Sequence, residues 1–417
     1  AVGNGVVASP EAGRRFFQTL ERADIRPLAV SQGGVDLTIS AIVEKHQERR
    51  AVTALHRTFF RRRVHVAIAG PTGMVGSSLV RLFGEQQAWL RDERDLELSV
   101  VGAINTRTMA WNDHGLPVRG GIDDLRGGEP AHWESFRDRL VSHNGAPLVF
   151  LDCTASESIA RQYATLLRSD VAIVTPNKIA NTLEFAYFEE LKRLGDGSGA
   201  RYLYETTVGA ATPMLQALGD LRRTGDTIRR VEGILSGTLS YVFTSVNRGE
   251  LFSRAVREAA RRGLTEPHPA TDLSGNDVAR KLLILAREAG YPLEREQVSV
   301  ESLVPEDLAG IRDANAFLEQ LSALDHRWSA RARESSARGN RLAYLARFDG
   351  TRAGVGIAEV PAESPFVHLR ASENAVHYYT DRHSPLPLTI QGIGAGPEVT
   401  ARGVLADLIH AALHLAA

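Results

Sequence analysis

A predicted β-strand that runs directly into a glycine-rich turn and a helix constrains the fold of this chain more than any other segment. Val64–Ala69 is an apolar run, Gly70–Gly76 carries a glycine at every third position, and Ser77–Phe83 has a helical pattern. Glycines in such a turn let the backbone approach a pyrophosphate, and the N-terminus of the following helix favours its negative charge. The spacing is GxxGxxG instead of GxGxxG, so the turn alone is moderately specific. Together the three elements predict a dinucleotide-binding α/β domain.

Further strands follow this turn at the spacing of a doubly wound sheet. Strands are predicted at Leu96–Ile104, Leu148–Asp152 and Val171–Val174, with helices at Ser156–Leu167 and Leu183–Leu194. The sequence therefore predicts an α/β fold with a Rossmann-type, doubly wound sheet at the centre of the first large domain.

The end of the second predicted strand bears on which nucleotide binds. An NAD-preferring enzyme has Asp or Glu there to bind the ribose hydroxyl, whereas this chain has Asn105, Thr106 and Arg107. An acid would repel a 2′-phosphate, and Arg107 can pair with one. NADP(H) is therefore expected in preference to NAD(H). The alternative, in which Arg107 is an exposed loop arginine and NAD(H) binds, stays open.

The stretch 263–290 combines a polar loop with a helix that carries opposite charges one turn apart. Ser274 is expected to cap this helix and to form a capping box with Asp277. Asp277 and Lys281 are four residues apart, a spacing typical of surface ion pairs worth about 0.2–0.5 kcal/mol. The preceding loop adds Glu266 and Asp272, so that three acids and one lysine are predicted near one helix N-terminus. This cluster indicates a site for a small substrate that carries an ammonium group.

Composition excludes several classes of function. The chain has 417 residues, enough for about two or three domains. Its formal net charge is -1, which gives no electrostatic reason to expect nucleic acid or an anionic membrane as a partner. No apolar run is long enough to span a bilayer, and no signal peptide is recognisable. The single cysteine, Cys153, fits a reducing compartment, so we expect a cytoplasmic protein.

Residues 1–60 have a small α+β pattern of their own. Helices are predicted at Glu11–Ala23 and Arg49–Phe59 and strands at Pro27–Ser31 and Val35–Val43, with an earlier strand cut short where the chain starts. The unit resembles part of an ACT domain, a regulatory module that often binds amino acids, and AVSQGGVDLTISAIV matches its central hairpin. A dimerising or linking module without a ligand is the alternative. Because the chain starts without methionine, we expect it to be part of a longer protein.

The second half of the chain is predicted to form a catalytic and dimerisation domain over residues 209–391. Its predicted elements are strands at Val231–Leu235, Leu342–Phe348, Gly354–Val360, Ala375–Tyr379 and Leu386–Ile390, with helices at Leu239–Val246 and within Glu306–Arg338. A second glycine turn at 392–396 precedes a predicted terminal helix, Val399–Leu415. We therefore expect residues 392–417 to return and complete the nucleotide domain formed by residues 61–208.

Several longer motifs occur along the chain: LDCTAS at 151–156, TPNKIANT at 175–182, YETTVGAATP at 204–213, EGILSGTLSYVF at 232–243, TEP at 265–267, DLSGNDVARKLLILAR at 272–287 and QGIGAGPEVTARGVLADLI at 391–409. Together these motifs resemble those of the homoserine dehydrogenase family, most closely the dehydrogenase half of bacterial bifunctional aspartokinase–homoserine dehydrogenases. The resemblance covers the whole chain. It implies reversible NAD(P)-dependent interconversion of L-homoserine and L-aspartate 4-semialdehyde, within the biosynthesis of threonine, methionine and isoleucine. It also implies a homodimer or higher homo-oligomer and raises fusion to an upstream aspartokinase.

The same resemblance implies roles for individual residues. Lys281 and Asp277 are expected to handle the hydroxyl proton of the substrate, with Lys178 as a second catalytic lysine. Glu266 and Asp272 are expected to bind the substrate. The expected cofactor contacts are Gly70, Gly73, Met74, Val75, Gly76, Arg107, Thr154, Lys178 and Gly396. The expected ligands of a monovalent cation such as sodium are oxygens of Glu205, Val208, Ala210 and Thr212.

The chain departs from the family pattern in the loop before the charged helix. His268 and Ala270 stand where the family commonly has aspartate and arginine, and Thr271 stands where a second acid is frequent. The loop is therefore less charged than usual, and its effect on substrate binding stays open.

Two other functions fit parts of the sequence. The turn GPTGMVG is similar to that of aspartate-semialdehyde dehydrogenase, whose chemistry requires a cysteine nucleophile. Cys153 is the sole candidate, and at the end of a Rossmann strand it is expected to pack as a small apolar side chain. The second alternative is an inactive, ACT-containing fragment that binds an amino acid. The presence of Lys178, Asp277 and Lys281 argues against that alternative.

Overall fold

The computed structural model describes residues 10–33, 38–59, 62–118, 121–197, 200–370 and 372–415. Its first part is a small α+β unit built from helix α1 (Pro10–Arg22), strands β1 (Ala29–Gly33) and β2 (Thr38–Ile42), and helix α2 (Glu48–Phe59). The two strands pair antiparallel, and a small core forms from Phe16, Leu20, Ile25, Ile39 and Ala51. The predicted strand at the chain start lies outside the described residues, as does the first part of the strand predicted from Val35.

A mostly parallel sheet flanked by helices forms the second part. Its elements are β3 (Arg62–Ala69), α3 (Met74–Glu93), β4 (Leu96–Ile104), β5 (Thr108–Trp111), β6 (Glu129–Pro130), α4 (Trp133–Val141), β7 (Leu148–Asp152), α5 (Glu157–Ala160), α6 (Tyr163–Arg168), β8 (Ala172–Val174), α7 (Phe185–Gly195) and β9 (Tyr202–Leu203). The strand order is β6-β5-β4-β3-β7-β8-β9, with β5 and β6 antiparallel at one edge and the other pairs parallel. The predicted α/β, Rossmann-type fold class is therefore confirmed.

Two details of this sheet differ from the sequence prediction. The single helix predicted over Ser156–Leu167 is two short helices, α5 and α6, because the chain leaves helical geometry between Ala160 and Tyr163. After β4 the chain also turns straight back into β5, a strand that the sequence did not predict. Both differences lie next to the carboxyl ends of the parallel strands, where such folds bind ligands.

The third part contains a second sheet covered by helices on one face. Its elements are α8 (Met214–Arg223), β10 (Ile228–Ile234), α9 (Gly237–Asn247), α10 (Phe252–Arg261), α11 (Ala270–Leu273), α12 (Asn276–Glu288), β11 (Val298–Val300), α13 (Ala314–Gln320), α14 (Asp325–Ala337), β12 (Asn340–Phe348), β13 (Ala353–Pro361), β14 (Glu373–Thr380) and β15 (Leu388–Ile393). The order is β11-β13-β12-β10-β14-β15, and only the β11–β13 pair among these described strands is parallel. Helices α9, α12 and α14 pack against the sheet.

The chain ends in helix α15 (Pro397–Leu415), which packs against α3 and against the strands β3, β7 and β8 of the first sheet. Arg81 of α3 and Glu398 of α15 form an ion pair across this contact. The C-terminal helix thus lies on the nucleotide-binding part of the fold. Among the described residues, no helix has the length and apolar character that crossing a bilayer requires.

Candidate active site

Helix α12 begins at a glycine whose conformation and packing both exclude a side chain. Gly275, the N-cap, has a left-handed backbone with φ of 73°, and a Cβ there would lie 1.9 Å from the hydroxyl oxygen of Tyr344. The predicted Ser274 cap and its capping box with Asp277 are therefore wrong. The Ser274 hydroxyl instead donates to the carbonyl of Thr271 at 2.7 Å. This arrangement leaves the Asp277 carboxylate available for other partners.

Asp277 lies between two lysine ammonium groups that come from different parts of the fold. One of its oxygens is 2.9 Å from Lys281 Nζ, one turn along α12, and the other is 3.4 Å from Lys178 Nζ. Burial acts to raise the pKa of Asp277, but the positive charges of Lys281 and Lys178 outweigh it and hold the pKa well below its ordinary value. Asp277 is therefore ionised at neutral pH.

The two lysines retain hydrogen-bond donors that the protein does not use. The Lys281 side chain is 10% exposed, and its ammonium donates to the carbonyl of Leu235 at 2.7 Å as well as approaching Asp277. An ammonium group has three donors, so one remains without a partner in the described part of the chain. For Lys178, which is 29% exposed, Asp277 is the sole ion-pair partner among the described residues. The arrangement can thus bind an oxygen atom that enters the cleft.

Lys178 is held in place by the loop that follows β8. The Thr182 hydroxyl donates to the Lys178 carbonyl at 3.1 Å, and the Asn177 side chain accepts from the backbone N–H of Ile179 at 3.0 Å. Asn177 also donates to the buried carboxylate of Asp152 at 3.2 Å. Local hydrogen bonds of this kind fix the backbone on either side of Lys178.

Asp152 connects two of the loops that approach the site, a role that the sequence did not predict. It ends β7, and its carboxylate accepts from the N–H of Thr154 at 2.9 Å as well as from Asn177 and Tyr163. Burial raises its pKa, although these donors oppose the shift. An acid directly after a buried strand in LDCTAS was the available signal. Asp152 thereby positions Thr154 and the Lys178 loop together.

The loop carboxylates Glu266 and Asp272 have different environments. Asp272 accepts from the Glu266 N–H at 2.8 Å and from the Thr238 hydroxyl at 2.9 Å, and burial raises its pKa. The Glu266 side chain is exposed and has no hydrogen bond or ion pair to the described residues. The unusual His268 packs on Phe317, with ring centroids 5.2 Å apart. Glu266 is therefore the free acid of the loop, and Asp272 fixes its backbone.

The structure gives a different reason for the presence of glycine at each of the three positions in the first turn. Gly70 has a φ of +74°. A Cβ at Gly76 would lie 2.0 Å from the carbonyl oxygen of Gly70, so this glycine allows the helix to pack closely on the turn. A Cβ at Gly73 would lie 3.5 Å from the carbonyl oxygen of Gly70, which is an ordinary van der Waals distance. No packing against the described residues explains Gly73, which fits the role of the glycine that lets a pyrophosphate approach.

The start of α3 supplies the donors that such a pyrophosphate needs. Gly73 is the N-cap and offers no side chain, and the first N–H groups of the helix, on Met74, Val75 and Gly76, have no acceptor among the described residues. The second glycine turn ends at Gly396, where φ is +130° and a Cβ would meet nothing within 4 Å. Both turns therefore have open backbone, and the residues present fit a dinucleotide.

Arg107 lies at the tip of the tight turn between β4 and β5. The Asn105 side chain shapes this turn by accepting from the N–H groups of Arg107 and Thr108, each at 2.8 Å. The Gly70 N–H donates to the carbonyl of Ile104 at 2.8 Å, which places the end of β4 beside the glycine turn. The Arg107 side chain is exposed and has no ion pair to the described residues. It is thus free to meet a phosphate near the first turn.

The residues expected to bind a cation lie in one tight loop. Gly209 and Ala210 both have positive φ, 77° and 52°, and the carbonyl oxygens of Val208 and Ala210 accept no hydrogen bond from the described residues. The Glu205 carboxylate accepts from two N–H groups at the start of α8, and burial raises its pKa to about 7. Thr212 donates its hydroxyl to the carbonyl of Ile393 at 3.2 Å. Free carbonyl oxygens beside a carboxylate suit a hard cation, so the sodium site stays a prediction.

Residues 213–409 match the family described as homoserine dehydrogenase, and residues 72–205 match the NAD-binding domain of homoserine dehydrogenase. The chain belongs to the homoserine dehydrogenase family. Residues 1–59 match the ACT domain family, in agreement with the expected ACT-like unit. The sequence-based recognition is confirmed, and residues 72–205 form an NAD(P)-binding domain.

Relatives named after two activities match the chain over nearly its full length. The bifunctional aspartokinase/homoserine dehydrogenase of Haemophilus influenzae is 36% identical over 416 residues, which cover 99% of this chain and 51% of that protein. The chain therefore spans about half the length of the relatives it matches. It aligns with them along both the ACT-like unit and the homoserine dehydrogenase part.

Solved structures share the fold. A Candida auris protein of unknown function has a TM-score of 0.76 and 32% identity, covering 85% of this chain and 99% of that one. A hyperthermophilic archaeal homoserine dehydrogenase mutant in complex with NADPH has a TM-score of 0.63 and 22% identity, covering 84% of this chain and 98% of that one. The second likeness concerns the fold alone.

Family membership favours the main interpretation over both alternatives. Cys153 has the environment of a packed thiol: burial raises its pKa, and its backbone N–H is bound to the carbonyl of Ala69 at 3.0 Å. A thiol held in its protonated form is a poor nucleophile, so the geometry does not support the aspartate-semialdehyde dehydrogenase alternative. The homoserine dehydrogenase family is one of oxidoreductases, and an inactive regulatory fragment is likewise not supported.

Proposed function

We propose that the protein catalyses the reversible NAD(P)-dependent oxidation of L-homoserine to L-aspartate 4-semialdehyde. The observation that carries the proposal is the meeting of Lys178, Asp277 and Lys281, drawn from two domains, in a chain of the homoserine dehydrogenase family. The bound nicotinamide supplies the hydride chemistry. The residues of the chain supply binding, orientation and proton transfer.

Lys281 is the proposed proton carrier at the substrate oxygen. Loss of hydride from C4 of homoserine must be matched by loss of the hydroxyl proton, which a lysine within hydrogen-bond reach can take. In the reverse direction its ammonium polarises the aldehyde oxygen. Asp277 holds Lys281 at 2.9 Å and Lys178 at 3.4 Å, so it orients both ammonium groups towards one oxygen. Their placement on a rigid helix and a braced loop keeps the geometry constant.

Glu266 is the proposed partner of the substrate ammonium group. Its carboxylate is exposed, and the described residues give it no competing cation. Asp272 supports this role by holding the loop backbone, because its carboxylate accepts a hydrogen bond from the Glu266 N–H at 2.8 Å. This division assigns substrate contact to Glu266 and loop geometry to Asp272.

The first glycine turn, the N–H groups that begin α3, and Gly396 are proposed to hold the dinucleotide. Thr154 and Lys178 would face its nicotinamide end, since both follow the carboxyl ends of neighbouring parallel strands. We propose NADP(H) as the preferred form because Arg107 has a free guanidinium and no acid stands at the end of β4. A monovalent cation at Glu205, Val208, Ala210 and Thr212 would tie the nucleotide domain to the loop that starts α8.

We also propose that the chain assembles as a homodimer or higher oligomer and that it works fused to an aspartokinase. The bifunctional relatives support the fusion, since they match this chain along about half of their length. Assembly is proposed from the family resemblance alone, because the separate apolar cluster that includes Ile234, Leu345 and Phe366 is already buried within the chain. A mass measurement of the protein from its native source tests both points.

The decisive assay for the reaction uses L-aspartate 4-semialdehyde and NADPH without phosphate. The thioester chemistry of the rival enzyme oxidises the aldehyde and therefore reduces NADP+, so oxidation of NADPH by the aldehyde separates the two activities. We expect NADPH oxidation by the wild-type protein and a strong loss of kcat in Lys281→Ala with nearly unchanged cofactor affinity. Absence of turnover between about pH 6 and pH 10, a range that brackets a lysine base, would contradict the proposed function.

A further inference from the structure

A fully buried arginine in α12 reaches from the catalytic domain into the loop that carries Lys178. The Arg287 side chain has no exposed surface. One terminal nitrogen donates to the carbonyls of Asn181 at 2.9 Å and Leu183 at 2.7 Å. The remaining donors bind the carbonyl of Leu293 at 2.9 Å and the carboxylate of Glu294 at 3.0 Å. The planar guanidinium thus joins two segments that are more than a hundred residues apart.

Glu294 extends the same contact to the next helix. Its two carboxylate oxygens accept from the backbone N–H of Phe185 at 3.0 and 3.1 Å, at the start of α7. The rings of Phe185 and Phe188 lie 5.6 Å from the guanidinium carbon, on which they pack. Backbone groups at 181, 183 and 185 are therefore all held by hydrogen bonds to the side chains of Arg287 and Glu294 in the catalytic domain.

These backbone groups follow Lys178 directly in the chain. The loop is stiff between them, because the Thr182 hydroxyl donates to the Lys178 carbonyl and residues Ala180–Thr182 form a 3-10 turn. Asp277 and Arg287 are ten residues apart on one helix, a distance of about 15 Å. Helix α12 thus contacts the loop twice, through Asp277 at the Lys178 ammonium and through Arg287 at the carbonyls beyond it.

We propose that Arg287 is a positioning residue for the reaction, which sets the distance between Lys178 and Asp277 by holding the 181–185 backbone against α12. The proposal rests on the proposed function. A buried arginine that serves only general stability would affect folding and would not act through Lys178. The two roles separate when the effect of Arg287 is measured with and without Lys178.

The test is a double-variant cycle with Arg287→Lys and Lys178→Ala. Lysine keeps the charge but lacks the planar fork that binds two carbonyls at once. We expect Arg287→Lys to lower kcat at least tenfold while the Kd of NADPH changes less than threefold. In the Lys178→Ala background the same change should lower the residual rate less than twofold, since groups that act as a unit are not additive.

Arg222→Lys is the matched control. Arg222 donates to the carbonyl of Glu288 at 2.7 Å, at the same end of α12, and among the described residues it has no hydrogen bond or ion pair to the Lys178 loop. The kcat of the Arg222→Lys variant should stay within twofold of wild type. If Arg287→Lys does not fold, Glu294→Gln replaces it, because glutamine retains an acceptor for the Phe185 N–H but removes the charge facing Arg287. A kcat loss in the same direction, again absent without Lys178, is then expected.

Equal kcat losses with and without Lys178, or a kcat within threefold of wild type, would overturn the proposal. A second readout does not need the reaction: amide hydrogen exchange of residues 178–185 should accelerate at least tenfold in Arg287→Lys and stay unchanged in Arg222→Lys. If the wild-type protein fails to oxidise homoserine while this exchange difference is present, the proposed function is wrong and the contact is real. Unchanged exchange overturns the positioning role itself.

Discussion

Replacing Asp277 by asparagine removes one negative charge from between two ammonium groups and leaves the shape of the side chain intact. At an effective dielectric constant of about 20, separations of 2.9 and 3.4 Å correspond to attractions of about 6 and about 5 kcal/mol. The Asp277 side chain is 49% exposed, so solvent screens both interactions strongly. About 1 kcal/mol for each pair is a realistic net value. Because the two pairs are proposed to orient the ammonium groups towards the oxygen on which charge develops, we assign this loss of about 2 kcal/mol to the transition state, where it corresponds to about a 30-fold lower kcat.

The assay is steady-state NADPH oxidation with L-aspartate 4-semialdehyde, compared with Glu85→Gln as a control. Glu85 forms an equivalent pair one turn from Arg81, at 3.1 Å, on the surface of α3. Its replacement should leave kcat unchanged. If Asp277→Asn has a kcat within threefold of the control, the Asp277–Lys281 contact is an ordinary surface ion pair and the assignment of the site is refuted.

Acid dependence of stability gives an independent check on the same carboxylate. The pKa of Asp277 in the folded protein is below its ordinary value of 3.8, so its ionised form stabilises the fold above that pH. As pH falls through the lower folded-state pKa, this contribution is lost. The difference in thermal midpoint between wild type and Asp277→Asn should therefore be constant above about pH 5 and shrink below about pH 4. A difference that grows on acidification would contradict the ion-pair geometry.

Three further predictions concern the cofactor, the loop and the helix start. Arg107→Ala should raise the KM for NADPH about tenfold, as expected for loss of one charged hydrogen bond, with little effect for NADH; equal effects on both cofactors would exclude a phosphate contact. Glu266→Gln should raise the KM for homoserine and leave the melting temperature unchanged. Asp272→Asn should raise the KM and also lower the melting temperature. Identical behaviour of the two variants would contradict their separate roles. Gly275→Ala should lower the free energy of unfolding by at least about 1–2 kcal/mol, because alanine is strained in a left-handed backbone. Calorimetry should show that adding Tyr344→Phe restores part of this stability. Full stability of the single variant would contradict the described helix start.

Sequence patterns predicted elements well where hydrophobic periodicity alone determines them. Strands β4 and β7 have the predicted bounds, because β4 alternates apolar and polar residues before a buried run and β7 is buried throughout. Helix α3 was predicted to stop at Phe83, but it continues through Gly84 to Glu93, since Leu90 is buried further along the same helix. Strand β5 was missed because its four residues owe their conformation to pairing with β4, which local sequence does not encode.

The residues of the site also differ in whether the local sequence or contacts between distant segments determine their placement. The Asp277–Lys281 pair could be predicted from the sequence because a four-residue spacing on a helix is a local property. The requirement for glycine at the helix start has a long-range cause, since the Tyr344 hydroxyl occupies the space that a Cβ at Gly275 would need. The approach of Lys178 to Asp277 also joins distant segments, and only the family resemblance indicated it. Arg287 has the sequence context of an ordinary last-turn arginine, and only the folded chain reveals its contacts.

The central claim is hydride transfer at C4, and isotopic labelling tests it most directly. Wild-type protein is incubated with L-aspartate 4-semialdehyde and NADPH that carries deuterium at the transferable position, and the product is analysed by mass spectrometry. We predict homoserine that contains one deuterium at C4, and no labelled product with Lys281→Ala over the same time. Formation of unlabelled homoserine, or of no homoserine at all, would contradict the account.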